Sequence, residues 1–149
     1  VLDLGNVQIQ VLHTPGHTPE HISLLVTDKT RGPAPWFLLS GHTLMVGDLG
    51  RTELASTAKD GARALFETVK KLKRLSDHIE VMPGAFSGSV CGRSLSGKPM
   101  STIGFERRFN KGFQIDDEGE FIRYMTRDIP TPPPNAATNR AINLGRAEK

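Results

Sequence analysis

The sequence predicts an α/β domain, and three patterns along the chain lead to that fold class. Residues 7–11 alternate between apolar and polar side chains, the period of two that is typical of a strand with one buried face. Residues 22–26 form a continuous apolar run rich in branched side chains and closed by turn residues, which indicates a buried strand. Apolar residues recur at helical spacing over 58–75, and Thr57 stands where a helix N-cap is expected.

Shorter elements complete the predicted secondary structure. Residues 36–39 and 79–82 are predicted to be strands, because each is a short apolar run stopped by glycine or proline. The three glycines within 41–51 indicate a loop whose backbone bends tightly. Residues 84–104 are too rich in glycine for regular structure, and residues 121–125 indicate a short amphipathic helix with acidic residues before its N-terminus.

The end of the chain has a different composition. Four prolines between Pro130 and Pro134 exclude a helix there and favour an extended polyproline segment, and the residues beyond are polar. We therefore expect one domain over residues 1–134 and a weakly packed polar tail over residues 135–149.

The composition of this 149-residue chain is ordinary for a globular protein. Hydrophobic residues make up 37% and charged residues 23%, which argues against general disorder. The apolar runs are far shorter than the about 20 residues that span a bilayer, so no membrane span is expected. The net charge is +3, and much of the excess lies at the C-terminal end of the predicted helix. Cations there complement the helix dipole, so we expect no nucleic-acid surface.

The cysteine content and the first residue bear on cellular context. The single cysteine, Cys91, excludes an intramolecular disulfide framework and gives no sign of an oxidising compartment, so a cytoplasmic location is expected. The chain begins at Val1 in the middle of a strand-like pattern without a signal sequence, and we interpret it as a fragment.

Three histidines recur every four residues in the loop after the first strand, namely His13, His17 and His21. Intervening prolines and a glycine exclude the helix that this spacing would otherwise predict. Gly16 lets the backbone turn and direct the next imidazole outward, a position that suits a metal ligand, so His17 is the candidate ligand. For His13 and His21 a hydrogen-bonded structural role is favoured.

Three separated motifs resemble one known family. HTPGHT at 13–18, GHTLMVGDLGR at 41–51 and SGSVCGRSLSGKPMSTIGFERRFN at 87–110 resemble the second half of metallo-β-lactamase-fold hydrolases. The third motif is similar to bacterial persulfide dioxygenases, some of them fused to rhodanese domains, and the subfamily also resembles glyoxalase II. The resemblance extends over about 7–134. It implies the C-terminal half of an αββα sandwich, with a mixed β-sheet flanked by helices and a Pro-rich C-terminal tail.

The resemblance also implies a metal site, with differences at two positions. The family's metal-binding histidine falls on His17, its next ligand, an aspartate, falls on His42, and its last histidine falls on Ala85. The family's opening His-x-His-x-Asp-His motif occurs nowhere in this sequence. Because imidazole does not bridge two ions as a carboxylate does, and alanine has no donor atom, we expect at most one ion, zinc or iron, at His17 and His42. The alternative is that this chain alone binds none.

Further polar residues of the motifs have two interpretations each. Asp48 and Arg51 either orient the metal ligands or a substrate carboxylate, or form an internal Asp–Arg pair. Cys91 either faces a sulfur substrate or is inert. The three basic residues that follow either bind the carboxylates of a glutathione-like ligand or are solvated; these are Lys98, Arg107 and Arg108.

Two functional hypotheses follow. The first is a metal-dependent hydrolase or persulfide dioxygenase-like domain acting on a glutathione-type thioester or persulfide, incomplete in this chain. The alternative, motivated by His42 and Ala85, is a degenerate, non-catalytic module of the same fold that serves in binding or as a scaffold. In either case half of a sandwich leaves an apolar sheet face open, so we expect a partner: the missing N-terminal half-domain or a second copy of the chain.

Overall fold

The computed structural model describes residues 1–87, 89, 91–93 and 95–146. Three residues of the third motif, Gly88, Val90 and Ser94, and the last three residues of the predicted tail lie outside the described residues. Within the described residues the chain forms a mixed six-stranded sheet, a two-stranded hairpin and five helices. The predicted α/β class is confirmed.

The strands and helices follow one another in mixed order along the chain. The strands are β1 (Leu2–Leu4), β2 (Val7–His13), β3 (Ile22–Asp28), β4 (Phe37–Gly41), β5 (Leu44–Met45), β6 (Asp48–Leu49), β7 (Glu80–Pro83) and β8 (Ser101–Thr102). The helices are α1 (Ala58–Leu72), α2 (Ile103–Phe109), α3 (Lys111–Gln114), α4 (Glu118–Thr126) and α5 (Ala136–Asn143). In the part of the chain that is described, no helix combines the length and the apolar character needed to cross a membrane.

The topology of the main sheet decides where the loops meet. The strand order is β1-β2-β3-β4-β7-β8, with β4 and β7 parallel and every other neighbouring pair antiparallel. Strands β2, β4 and β7 therefore run in the same direction, and their C-terminal ends lie at one edge of the sheet. The loops that leave this edge begin at Thr14, His42 and Gly84.

One face of the sheet carries the core. Leu25, Leu38 and Val81 lie opposite one another on β3, β4 and β7 and are at most 4% exposed. The helices bury their apolar side chains in the same cluster, notably Leu65 of α1 and Phe121 of α4. This face, covered by helices, is the hydrophobic core of the chain.

The opposite face of the sheet, hereafter the open face, is apolar but not covered by this chain. Val11, Leu24 and Leu39 lie side by side on it, and Val11 and Leu39 remain 43% and 39% exposed. Ile22 is 50% exposed on the same face. The alternation predicted for 7–11 is present, yet the expected burial of its apolar side is incomplete, because that side belongs to the open face.

Helix α1 has the ends that its sequence predicts, within three residues. The side chain of Thr57 accepts a hydrogen bond from the Asp60 backbone N–H at 3.1 Å and its hydroxyl donates to the Asp60 carboxylate. The helix ends at Leu72 rather than 75. Beyond it, Arg107 donates to the carbonyl oxygens of Lys73 and Leu75, so this side chain stabilises the helix end rather than binding a substrate carboxylate.

Three segments differ from the sequence-based expectation. The predicted loop 41–51 contains the hairpin β5–β6, and the segment 103–114 forms α2 and α3, which apolar periodicity did not indicate. Both helices depend on side-chain caps, Thr102 and Asn110. The tail forms α5, which buries no residue and is joined to the domain by Arg140, whose guanidinium donates to the Ala55 carbonyl at 2.7 Å.

A buried carboxylate fixes the β5–β6 hairpin to α2. Glu106 is fully buried and accepts hydrogen bonds from the Gly47 backbone N–H at 3.0 Å, the Ser101 hydroxyl at 2.6 Å and the Asn110 amide at 2.8 Å. The same Asn110 amide donates to the Asp48 carbonyl at 3.2 Å. Charge-assisted acceptance from several donors offsets the cost of burying this group.

We expect Glu106→Gln to lower the free energy of unfolding by about 1–3 kcal/mol, because an amide N–H₂ would face donors that need an acceptor. Urea unfolding followed by circular dichroism measures this change. The matched control is Glu67→Gln on α1, where the ion pair with Lys70 is about half exposed and should contribute less than about 1 kcal/mol. Equal losses in the two variants would contradict the role assigned to Glu106.

Candidate metal centre

The candidate site lies at the sheet edge where β2, β4 and β7 end. The loop after β2 carries His17, and His42 directly follows β4. Strand β3 separates β2 from β4, so the two side chains reach toward each other across its end. Their ring centroids are 5.1 Å apart, and the structure therefore brings together the two residues that the sequence proposed as ligands.

A backbone carbonyl fixes the tautomer of His17. This residue is 7% exposed, and its Nδ1 lies 2.8 Å from the carbonyl oxygen of Arg51. Because a carbonyl oxygen only accepts, Nδ1 carries the proton and Nε2 keeps its lone pair. Nε2 lies 3.4 Å from Nδ1 of His42. The nitrogen of His17 that is able to bind a metal thus faces a nitrogen of His42.

Cys91 lies at the same point. Single donor atoms of His17, His42 and Cys91 all lie within 4.8 Å of one another, and the cysteine is half-buried. The backbone of Arg51 contributes here too, because its N–H donates to the Cys91 carbonyl at 3.0 Å. One peptide segment therefore bonds both to the His17 ring and to the backbone that carries the thiol.

Burial favours the neutral form of His17. Desolvation lowers the pKa of this imidazole below its usual value of 6.5, and the neighbouring His42 contributes in the same direction, whereas the hydrogen bond to the Arg51 carbonyl opposes the shift. Metal ligation requires the neutral ring, so the same burial that lowers the pKa prepares His17 for a cation.

His21 and His13 take the structural roles favoured for them. Nε2 of His21 accepts the backbone N–H of His42 at 3.2 Å, so its Nδ1 carries a proton and faces the hydroxyls of Thr14 and Thr43, each at 2.9 Å. A Cβ on Gly41, whose φ is +55°, would lie 2.5 Å from this ring. His21 thus holds the backbone of His42 in place. His13 is exposed and bonds to the Pro19 carbonyl.

The loop after β7 borders the site without adding a ligand. A Cβ on Gly84 would lie 3.1 Å from Cδ2 of His42, so the glycine leaves just enough room for that ring. Ala85 is buried and its methyl group has no donor atom. Among the described residues, the cluster of metal-binding side chains at this edge consists of His17, His42 and Cys91.

Asp48 and Arg51 each have a different ion-pair partner. Asp48 is 2% exposed and accepts the Arg93 backbone N–H at 2.5 Å, with the Arg93 guanidinium 3.4 Å away. Arg51 forms an ion pair with Glu53. Asp48 therefore anchors the segment around Cys91 through Arg93, and Arg51 positions His17 through its backbone. The sequence motifs did not lead us to Arg93, although this residue stands two positions after Cys91 in the third motif.

A pocket of about 740 Å³ shares Arg51 with the site, the residue whose carbonyl oxygen bonds to the His17 ring. Three arginines line it, and the guanidinium carbons of two of them, Arg93 and Arg127, lie 4.5 and 4.9 Å from the ring centroid of Tyr124. Lys98 and Arg108 line other, smaller depressions. The lining residues are Asp48, Arg51, Gly92, Arg93, Tyr124, Arg127, Asp128, Pro130, Thr131 and Pro133.

Comparison with solved structures establishes the family. A metallo-beta-lactamase from Staphylococcus aureus subsp. aureus COL superposes with a TM-score of 0.87 and 38% identity over 99% of this chain and 43% of that chain. The chain belongs to the metallo-β-lactamase fold superfamily. ETHE1 from Myxococcus xanthus matches with a TM-score of 0.71 and 27% identity, over 98% of this chain and 57% of that chain. TTHA1623 in a di-iron-bound form matches with a TM-score of 0.51 and 31% identity, over 74% of this chain and 44% of that chain.

Curated relatives of this metallo-β-lactamase-fold chain include hydrolases. An uncharacterized protein of Mycobacterium leprae is 38% identical over 73% of this chain and 41% of its own length. The probable polyketide biosynthesis zinc-dependent hydrolase PksB of Bacillus subtilis is 27% identical over 85% of this chain and 48% of its own length. Hydroxyacylglutathione hydrolase GloC of Haemophilus influenzae is 28% identical over 66% of this chain and 43% of its own length. The chain spans less than half the length of these relatives, and no family model matches it.

The donor set of this superfamily member fits one ion better than two. His17 offers a deprotonated Nε2, His42 an adjacent nitrogen and Cys91 a sulfur, which together are soft ligands for a single zinc-like cation. No carboxylate among the described residues belongs to this cluster, and Ala85 adds no donor. Within the described residues this sheet edge therefore offers one cluster of donor atoms.

We expect the metal-free protein to lose stability as the pH falls below the usual imidazole pKa of 6.5. Burial lowers the pKa of His17 and of His21, so the unfolded chain binds protons in a range where the folded chain does not. The stabilisation is present above pH 6.5 and is lost as the pH falls through the two folded pKa values.

Urea unfolding in the presence of a chelator, repeated between about pH 5 and about pH 7.5, measures this dependence. His21→Gln should flatten it, because one of the two groups that take up a proton on unfolding is then absent. An unfolding free energy that does not change over this range would contradict the assignment.

Proposed function

We propose that this chain is the C-terminal half of a metal-dependent hydrolase or persulfide dioxygenase-like domain that acts on a glutathione-type thioester or persulfide. The observation that carries the proposal is the approach of His17 Nε2 to His42 Nδ1 at 3.4 Å. Arg51, which bonds to the His17 ring, also lines a pocket with two further arginines. The similarity to a hydroxyacylglutathione hydrolase of Haemophilus influenzae supports the substrate class, and the sequence resemblance to persulfide dioxygenases supports the alternative chemistry.

The protein's own residues would prepare the site rather than perform the bond cleavage. Arg51 holds His17 in the tautomer that leaves Nε2 unprotonated, and His21 holds the backbone of His42. A bound ion at these side chains would supply Lewis acidity and a water molecule of lowered pKa. The expected number is one ion, zinc or iron, since the residues present offer ligands for one.

The pocket lined by Arg51, Arg93 and Arg127 suits an anionic thiol derivative. Arg93 and Arg127 both place a guanidinium carbon near the Tyr124 ring, and Arg93 also donates to the Tyr124 carbonyl, so we assign the planar donors of Arg127 to a ligand carboxylate. Gly92, which follows Cys91 in the chain, and Arg51, whose carbonyl oxygen bonds to the His17 ring, both line this pocket. The carboxylates of a glutathione-type molecule are the complementary groups.

Metal binding at the two histidines is the direct test. We expect the chain to bind about one zinc ion in equilibrium dialysis, and expect His17→Ala and His42→Ala each to lower the affinity by more than about tenfold, because each removes a donor. His13→Ala is the matched control, since this imidazole lies in the same loop but is exposed and bonded to the Pro19 carbonyl. Equal affinities of the three variants would remove the basis of the proposal.

The open face supports a second proposal, on partners. We propose that it packs against the upstream half of the domain, because relatives are about twice as long as this chain and because the face is apolar across β2, β3 and β4. In the absence of that half, a second copy of the chain would cover the same face. Removing this surface from water favours either assembly by about 25 cal/mol for each Å² of apolar surface buried, against which the entropy lost on association counts.

Static light scattering of the isolated chain tests the partner proposal. We expect self-association that Val11→Lys combined with Leu39→Lys abolishes, because both side chains lie side by side on the open face. Gln10→Lys is the matched control, since it lies on the same strand but on the opposite side. A stable monomer of the unaltered chain at low micromolar concentration would contradict this prediction.

A further inference from the structure

The separations among the donor atoms correspond to a tetrahedral metal site with a mixed ligand set. Two nitrogen ligands at about 2.0–2.1 Å from a tetrahedral ion lie about 3.3–3.4 Å apart, and a nitrogen and a sulfur about 3.5 Å apart. His17 Nε2 and His42 Nδ1 are 3.4 Å apart, already at that spacing. The Cys91 sulfur lies within 4.8 Å of one ring nitrogen of each histidine. A small movement of the Cys91 thiol would bring all three donor atoms to the spacing of a tetrahedral site.

We infer that Cys91 is a third protein ligand, so that this chain contributes two imidazoles and one thiolate to a single soft cation such as zinc or cobalt(II). The inference rests on the proposed metal site at His17 and His42 and adds the ligand that would stand in place of the carboxylate absent at position 42. On binding, the thiol loses its proton to solvent as the sulfur–metal bond forms, and no atom changes its oxidation state.

The backbone around Cys91 supports this role. Its carbonyl oxygen accepts from the Arg51 N–H and its own N–H donates to the Ser89 hydroxyl at 3.1 Å, so the main chain is bonded on both sides of the side chain. The following segment is anchored by the Arg93–Asp48 pair. The main chain that carries the thiol is therefore held beside the imidazoles.

The ligand set changes which metal is favoured. Thiolate and imidazole donors prefer zinc, cobalt(II) or copper(I), whereas magnesium and manganese prefer carboxylate oxygen. Three protein ligands around a tetrahedral ion leave one position for water or substrate, the pattern of catalytic zinc sites. The histidine that stands at position 42 in place of an aspartate would therefore shift the site toward sulfur coordination rather than abolish metal binding.

Cobalt(II) absorption spectroscopy tests the inference with a readout that does not depend on activity. The chain has one cysteine, so an intense near-ultraviolet thiolate-to-cobalt charge-transfer band would identify Cys91 as the ligand. We expect the band in the unaltered chain and its loss in Cys91→Ser, with cobalt affinity lowered by more than the about 10- to 100-fold that the loss of a ligand's hydrogen-bond partner costs. His13→Ala should keep the band, and circular dichroism should show each variant folded.

The outcomes separate this inference from the proposed function. Cobalt bound in a histidine-dependent manner without a charge-transfer band would overturn the role of Cys91 and leave the histidine site standing. No cobalt binding by the folded chain would overturn both. Alkylation by iodoacetamide provides a second measurement: zinc should slow modification of Cys91 in the unaltered chain and not in His42→Ala, and equal rates with and without zinc would count against coordination.

Discussion

The hydrogen bond from His17 Nδ1 to the Arg51 carbonyl is the interaction on which the geometry of the site depends. It fixes which ring nitrogen of His17 is unprotonated. Arg51 also donates through its own N–H to the Cys91 carbonyl oxygen. The backbone at this point has no spare room, since a Cβ on Gly50 would lie 2.0 Å from the His42 carbonyl oxygen. The backbone of residues 50 and 51 therefore contacts all three candidate donor residues. Their relative placement is set by main-chain geometry more than by side-chain packing.

At positions 42 and 85 this chain differs from the family pattern in the charge and the donor atoms of the side chains. An imidazole at position 42 occupies the point where the family has a carboxylate, and His21 still holds its backbone through the N–H. Relative to the pattern that the resemblance implies, the site has one negative charge fewer, which weakens attraction for hard cations and for a second ion. Ala85 acts in the same direction, because a buried methyl group offers neither charge nor donor.

The sequence predicted the parts of the site that depend on local rules. His17 was identified from a glycine and two prolines that exclude a helix, and the strands were found from periodicity, because both signals lie within a few residues. The role of Arg93 was not found, since its partner Asp48 is 45 positions away and only the folded chain brings them together. The helices α2 and α3 were missed for a similar reason: they are short, and tertiary packing of Ile103 and Phe113 stabilises them more than any helical pattern.

The two sides of the sheet have different consequences for the site. His17, His42 and Cys91 are held by hydrogen bonds to residues of this chain, and within the described residues no buried side-chain nitrogen or oxygen lacks a partner. The open face takes no part in these bonds. An upstream half that covered it would therefore meet donors that are already oriented. Its contribution to a metal site would be further ligands and the exclusion of water, whereas the orientation of His17 and His42 would be the same in the isolated chain.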